Sequence, residues 1–248
     1  MTGTYKIAGK IIGINSLYED VHDYCKDYRC EGTPDFTVTI TEEDIRQERL
    51  KSLRLAEREG RAPYKSPDGY MEELAVYRRI AAEMLEHDTF LFHGSCVAVD
   101  GVGYLFTAKS GTGKSTHTRL WRELLGDKAV MVNDDKPLIH VEDGSVTIYG
   151  TPYNGKHHLG SNIAVPLKAV CLLERAEQNS IAEVDASVIY PKLVQQTYRP
   201  DDPLKMAQTL ALLDKMTGNV RLYRLGCNMD ISAAKVSYEG MRQEGDHG

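Results

Sequence analysis

The pattern of apolar and polar positions divides the chain near residue 89. In the first part, KIAGKIIGIN (6–15) and DFTVTIT (35–41) read as strands, the second through strict alternation of Phe36, Val38 and Ile40. YEDVHDYCKDY (18–28) between them predicts a short helix, and residues 42–60 a longer one whose interspersed charges form a solvated face. APYKSPDG (62–69) has the two prolines and the glycine of a linker. From Tyr70 to Glu86, Met71, Leu74, Ala75, Ala81, Met84 and Leu85 recur at helical spacing, which predicts an amphipathic docking helix.

Beyond Thr89 the texture changes. FLFHGSCVAVD (90–100) and VGYLFTA (102–108) are apolar runs around Asp100-Gly101, the pattern of a hairpin that places His93 on its first strand. A Gly-rich stretch follows, then a helix with Leu120, Trp121 and Leu124 toward the core and Gly126 at its cap. AVMVNDD (129–135) predicts a strand ending in two aspartates. PLIHV and SVTIYG flank a turn at 142–144, and LKAVCLLE (167–174) and VRLYRL (220–225) predict further strands. Helices are expected around 186–198, over 203–217 with Gly218 as terminator, and near 230–243. Strands and helices mix without a strict βαβα rhythm. The pattern therefore predicts a small α+β region over 1–69, a docking helix over 70–88 and an α/β core over 89–248, with a mixed sheet and flanking helices.

Composition narrows the function class. With 36 acidic against 30 basic residues the net charge is −6, so the basic footprint of general nucleic-acid binding is missing. No stretch approaches the roughly 18 consecutive apolar residues of a membrane span, and the first residues lack the layout of a secretory signal. A soluble, cytoplasmic protein without nucleic-acid or membrane partners is the expectation. The odd cysteine count (five) reads as reduced thiols, with Cys96 and Cys171 buried in apolar runs. Cys25 and Cys30 lack metal-ligand spacing.

The sharpest chemical signal is Ala108-Lys-Ser-Gly-Thr-Gly-Lys-Ser115. It matches the phosphate-loop template except that Ala108 stands at the first glycine. Ser110, Gly111, Thr112, Gly113, Lys114, Ser115 and Thr116 are the candidate nucleotide-binding residues. The glycines let backbone N–H groups converge on an anion, Lys114 supplies a point charge, and the Ser115 hydroxyl suits Mg²⁺. Asn133-Asp134-Asp135 follows Lys114 by about 20 residues, where phosphoryl transfer needs a base and a metal ligand. The same triplet also suits an ordinary Asx turn. Tyr149-Gly-Thr-Pro-Tyr-Asn-Gly-Lys-His-His158 is a turn-rich loop in which Lys156, and less so His157 and His158, could face phosphate or substrate. Turn chemistry explains the loop equally well.

Together, His93-Gly-Ser-Cys-Val-Ala-Val-Asp-Gly, Ser110-Gly-Thr-Gly-Lys-Ser-Thr and Val-Asn-Asp-Asp resemble the catalytic core of HPr kinase/phosphorylase. The Ser-Gly-Thr-Gly-Lys stretch is similar to phosphoenolpyruvate carboxykinase as well, whose nucleotide domain shares that fold. The resemblance covers roughly residues 89–145. It implies an ATP- and Mg²⁺-dependent kinase of a seryl hydroxyl on a protein or peptide. Lys114 would bind phosphate, Ser115 and Asp135 the metal, His93 would lie near the transferred group, and Asp134 or Asp135 would be the base. HPr kinases are hexamers, so a homo-oligomer is open as well. The glycine-rich tract with a metal-binding Glu that HPr kinases carry downstream does not align here. A nucleotide-binding scaffold without transfer, and carboxykinase chemistry, are the alternatives. Residues 1–88 match no family and are the candidate region for acceptor recognition.

Overall fold

The computed structural model describes residues 1–58, 60, 62, 66–155 and 157–242. The chain forms two compact units, Met1–Met84 and Leu85–Gly248. The first starts with β1 (Thr2–Ile7) and β2 (Lys10–Asn15), followed by α1 (Asp20–Tyr24), β3 (Phe36–Thr39), α2 (Glu42–Arg58) and α3 (Asp68–Glu83). The single strand expected over 6–15 is a hairpin instead. Ala8 and Gly9 both adopt positive φ, which closes a tight turn between β1 and β2. β3 adds parallel to β2, and α3 packs on α1, α2 and β3 through Met71, Ala75, Val76 and Ile80. The buried Glu72 carboxylate accepts the Leu17 and Tyr18 backbone N–H groups, which ties α3 to the segment after β2. Of the proposed linker, residues 63–65 lie outside the described set.

Among the described residues the second unit is a mixed α/β assembly of nine strands with helices on both faces. It runs β4 (Thr89–Leu91), β5 (Ser95–Val99), β6 (Val102–Thr107), α4 (Lys114–Leu125), β7 (Ala129–Asn133), β8 (Leu138–Glu142) and β9 (Ser145–Tyr149). Then follow β10 (Ala164–Arg175), β11 (Ser180–Glu183), α5 (Ala186–Val194), α6 (Pro203–Asn219), β12 (Arg221–Cys227) and α7 (Ile231–Arg242). The strand order is β4-β8-β9-β10-β6-β5-β7, with β12 on β10 and β11 on β12. The parallel core is β6, β10 and β12; the other pairings are antiparallel.

Alternation along these strands builds two hydrophobic layers. Leu105, Val170, Leu172 and Leu222 point to the layer shared with α5 and α6. Tyr104, Phe106, Cys171, Leu173, Tyr223 and Leu225 point to the layer of α4 and α7, where Trp121 is fully buried. Among the described residues no helix is long and apolar enough to cross a membrane.

A buried hydroxyl joins α4 to α7. Ser237 Oγ donates to the Ala234 carbonyl and accepts from Trp121 Nε1 (2.8 Å) and His117 Nε2 (2.9 Å). One proton and two lone pairs are thereby used, so His117 carries its proton on Nε2. Burial pushes the His117 pKa from 6.5 down to about 4. The unfolded chain protonates this histidine below 6.5 and the folded one does not. We therefore expect stability to be full above that pH and to fall by up to about 3 kcal/mol between pH 6.5 and about 4. Urea titrations across this range test the point: His117→Phe should flatten the decline, and an equally steep decline in the variant would refute the assignment.

Four further expectations change. The run 90–100 is not one strand, because Phe92 bridges to Thr197 and the chain moves from pairing with β8 to pairing with β6 and β7. His93 lies in that break rather than on a strand. β7 ends at Asn133, leaving both aspartates in the turn beyond it. Gly218 lies inside α6, which ends only where Val220 turns extended to enter β12. β11, mostly exposed, has too weak an apolar pattern to be anticipated.

Candidate active site

Strand register explains why distant motifs meet. Ser95 at the start of β5 faces Phe106 near the end of β6, and Cys96 faces Asn133 at the end of β7. The segment before β5, the loop after β6 and the turn after β7 therefore share one edge, at the C-terminal end of the parallel core. That edge is where open α/β sheets bind ligands.

The phosphate loop spans the step from β6 to α4. Gly111 (φ 78°) and Gly113 (φ 124°) adopt backbone conformations that side chains resist, which turns the loop back to the N-terminus of α4. The Thr112 N–H bonds the Lys109 carbonyl, and Arg175 Nη2 donates to the Gly111 carbonyl at 2.6 Å. Lys114 folds back over the loop with Nζ 3.4 Å from the Ala108 carbonyl. Burial lowers its pKa, and the Asp135 and Asp134 carboxylates act in the opposite direction.

Asn133-Asp134-Asp135 forms the Asx turn that its residue types allow. Asn133 Oδ1 accepts the Asp135 and Lys136 N–H groups at 2.8 and 2.7 Å, while its Nδ2 donates to Thr151 Oγ1 at 3.0 Å. This turn presents both aspartates to the same cleft. Asp134, 5% exposed, accepts from Ser95 Oγ at 2.8 Å, and Ser95 Oγ lies 3.0 Å from Thr118 Oγ1 on α4. Gly155 packs against Asp134 so closely that a Cβ there would sit 3.2 Å from Oδ2.

Asp135 is more open. Its Oδ1 lies 3.3 Å from His93 Nε2, with Lys136 Nζ 3.7 Å from Oδ2. Burial alone would raise the Asp135 carboxyl; its bond to His93 and the charges of Lys136, His93 and Lys114 outweigh that and hold it below its ordinary value. It is thus a stably ionised group whose stabilising contacts are lost only as pH falls through that lowered value. His93 is fixed by Gln196, whose carbonyl accepts the His93 backbone N–H at 2.7 Å and whose Oε1 lies 2.8 Å from Nδ1. Gln196 Oε1 can only accept, so Nδ1 carries a proton, and the contact of Nε2 with the Asp135 carboxylate is a hydrogen bond when Nε2 is protonated as well.

A cleft of about 820 Å³ brings together His93, Ser110, Gly111, Gly113, Lys114, Ser115, Thr116, Asp134 and Asp135. Thr112 lines a second cleft of about 440 Å³ on the other side of the loop, with Leu120, Leu173, Cys227 and Met229. His157 reaches the first cleft, and Lys156 lies outside the described residues. The sequence reading gave no role to Ser95, Thr118, Gln196, Arg119 or Arg122. Thr118, Arg119 and Arg122 could have been found from their helical spacing after Ser115. Gln196, over 100 positions from His93, gives no local signal.

No protein-family model matches the sequence, and no curated protein matches it. Among solved structures, the chain is similar to the Hpr(Ser) kinase/phosphatase from Coxiella burnetii, with 10% sequence identity and a TM-score of 0.33, over 62% of this chain and 99% of that one.

Proposed function

We propose that the protein is an ATP-dependent phosphotransferase that moves the γ-phosphoryl group to a hydroxyl, most simply a serine of a protein or peptide. The observation that carries this reading is that a phosphate loop, a lysine and two aspartates on an Asx turn line one cleft. Pure nucleotide binding needs the loop and the lysine but not a carboxylate base. The HPr kinase-like order of these motifs in the sequence points the same way.

In this reading the triphosphate lies on the loop N–H groups and Lys114, and the nucleoside lies in the second cleft against Leu120, Leu173 and Met229. The acceptor oxygen attacks the γ-phosphorus in line with the bridging oxygen of ADP. A P–O bond forms to the acceptor, the bridging P–O bond breaks, and the hydroxyl proton passes to a carboxylate. Asp134 is the better base, because the cations around Asp135 weaken its basicity.

The hydroxyl of Ser115 and the carboxylate of Asp135 are oxygen donors of the kind Mg²⁺ takes. Among the described residues no group of three or more His, Cys, Asp or Glu side chains is placed to hold a metal. Bound with the nucleotide, the cation would offset charge on the phosphate oxygens. His93, held by Gln196, would orient Asp135. The unit Met1–Met84 is left for acceptor recognition.

The test is incubation of the full chain with γ-labelled ATP, Mg²⁺ and serine peptides. Label should enter the serine peptide and not its alanine counterpart. A chain that binds ATP but transfers nothing to any acceptor would instead support a nucleotide-binding scaffold.

A further inference from the structure

The helix after the phosphate loop separates the two clefts, and its residues divide between them. Leu120 lines the second cleft beside Leu173 and Met229, and Thr116 borders both. Ser115, Thr118, Arg119 and Arg122 line the first, with His93 and the two aspartates. At 100° per residue this is the division expected of two faces of one helix. The guanidinium groups of Arg119 and Arg122 therefore stand on the side away from the apolar cleft assigned to the nucleoside. They are four and seven residues beyond Ser115, which places them about 6 and 10 Å along the helix axis.

Neither arginine is needed by the fold. Both are exposed, and Arg119 makes an ion pair with Glu123 one turn on, a surface contact that another carboxylate can replace. Arg122 has no ion-pair partner among the described residues. The acidic groups of the cleft are otherwise engaged, Asp134 by Ser95 and Asp135 by His93 and Lys136. Met131 and Leu159 supply apolar lining in the same cleft. The chain as a whole carries −6, yet screening confines charge effects to about 8 Å at physiological salt, so acidic groups farther away than that are screened from the two arginines.

We propose that Arg119 and Arg122 select an acidic peptide segment, reading carboxylates beside the hydroxyl that receives the phosphoryl group. The inference rests on the phosphotransferase reading above and gives its acceptor a chemical class. Side chains three apart on a helix have Cβ atoms about 5–6 Å apart, close to the roughly 6.6 Å between alternate residues of an extended peptide. Two acidic side chains at alternate positions would therefore meet the two guanidiniums at once. A basic acceptor would meet the same charges as repulsion.

The experiment uses the full chain loaded with Mg²⁺ and β,γ-imido-ATP and two fluorescent serine peptides of equal length. One carries Asp at alternate positions around the serine, the other Lys. The Asp peptide should bind about tenfold tighter than the Lys peptide or better. Arg119→Glu with Arg122→Glu should abolish or reverse the order, Arg122→Gln should weaken it, and imido-ATP affinity should stay within about twofold. The Lys peptide binding as well or better, neither peptide binding, or an unchanged preference in the double variant would overturn the proposal. Label transfer from ATP, measured in parallel, separates the two ideas. Charge-dependent binding without transfer would sink the phosphotransferase reading alone, whereas transfer at equal rates to both peptides would sink the acidic-peptide proposal alone.

Discussion

Lys114→Met is expected to lower phosphoryl transfer by on the order of 10³ while leaving the melting temperature nearly unchanged. The side chain is half-buried over its own loop, and its hydrogen bond to the Ala108 carbonyl is a long one, 3.4 Å. Burial already disfavours its charge. A neutral thioether of similar length fills the same space, and the desolvation of the ammonium is relieved. The loss of a cation beside Asp134 and Asp135 works in the opposite direction, so the net change in stability is small. The backbone N–H groups of the loop do not replace that full charge on a transferring phosphoryl group. Initial rates with γ-labelled ATP and a thermal melt check both halves. A variant within about tenfold of the wild-type rate would remove Lys114 from the machinery.

Asp134→Asn should reduce the turnover rate by about 10²–10⁴ and leave nucleotide affinity within a few-fold. The amide keeps the carboxylate's shape and still accepts from Ser95 through Oδ1, so the link from β5 to the turn after β7 survives. What is lost is the ability to take a proton. Asp135→Asn should behave differently: the rate loss should be largely recovered by raising Mg²⁺, because the change removes a cation ligand and the partner of His93. Rates measured against Mg²⁺ concentration distinguish the two roles. If the Asp134 variant is the one rescued by Mg²⁺, the roles are exchanged.

The sequence made legible what is encoded locally. The phosphate loop needs two glycines, a lysine and a serine within a few residues, and the Asx turn needs three consecutive residues. Both appear where the apolar pattern put them. The hairpin at Asp100-Gly101 was likewise local, with both residues at positive φ. Long-range pairing was not legible. Phe90 to Val99 is apolar on both sides of His93, and nothing in its composition shows that the first part pairs with β8 and the second with β6 and β7. The hold on His93 comes from a residue 103 positions away, and that on Asp134 from one 39 positions away. Gly218 misled because a glycine can terminate a helix but need not; the pairing of β12 with β10 decides where α6 stops.

β10 has a consequence for the order in which the second unit can assemble. One of its edges pairs with β6, completed about 60 residues earlier, and the other with β12, which begins about 45 residues later. A chain emerging from the ribosome thus exposes Val170 to Arg175 as an open edge until Arg221–Cys227 has been made. Its apolar residues have half their cover in that interval, so this stretch is the natural point for misassembly and for chaperone capture. The phosphate loop is encoded near the middle of the chain, but the sheet that holds it becomes whole only when the last strand arrives.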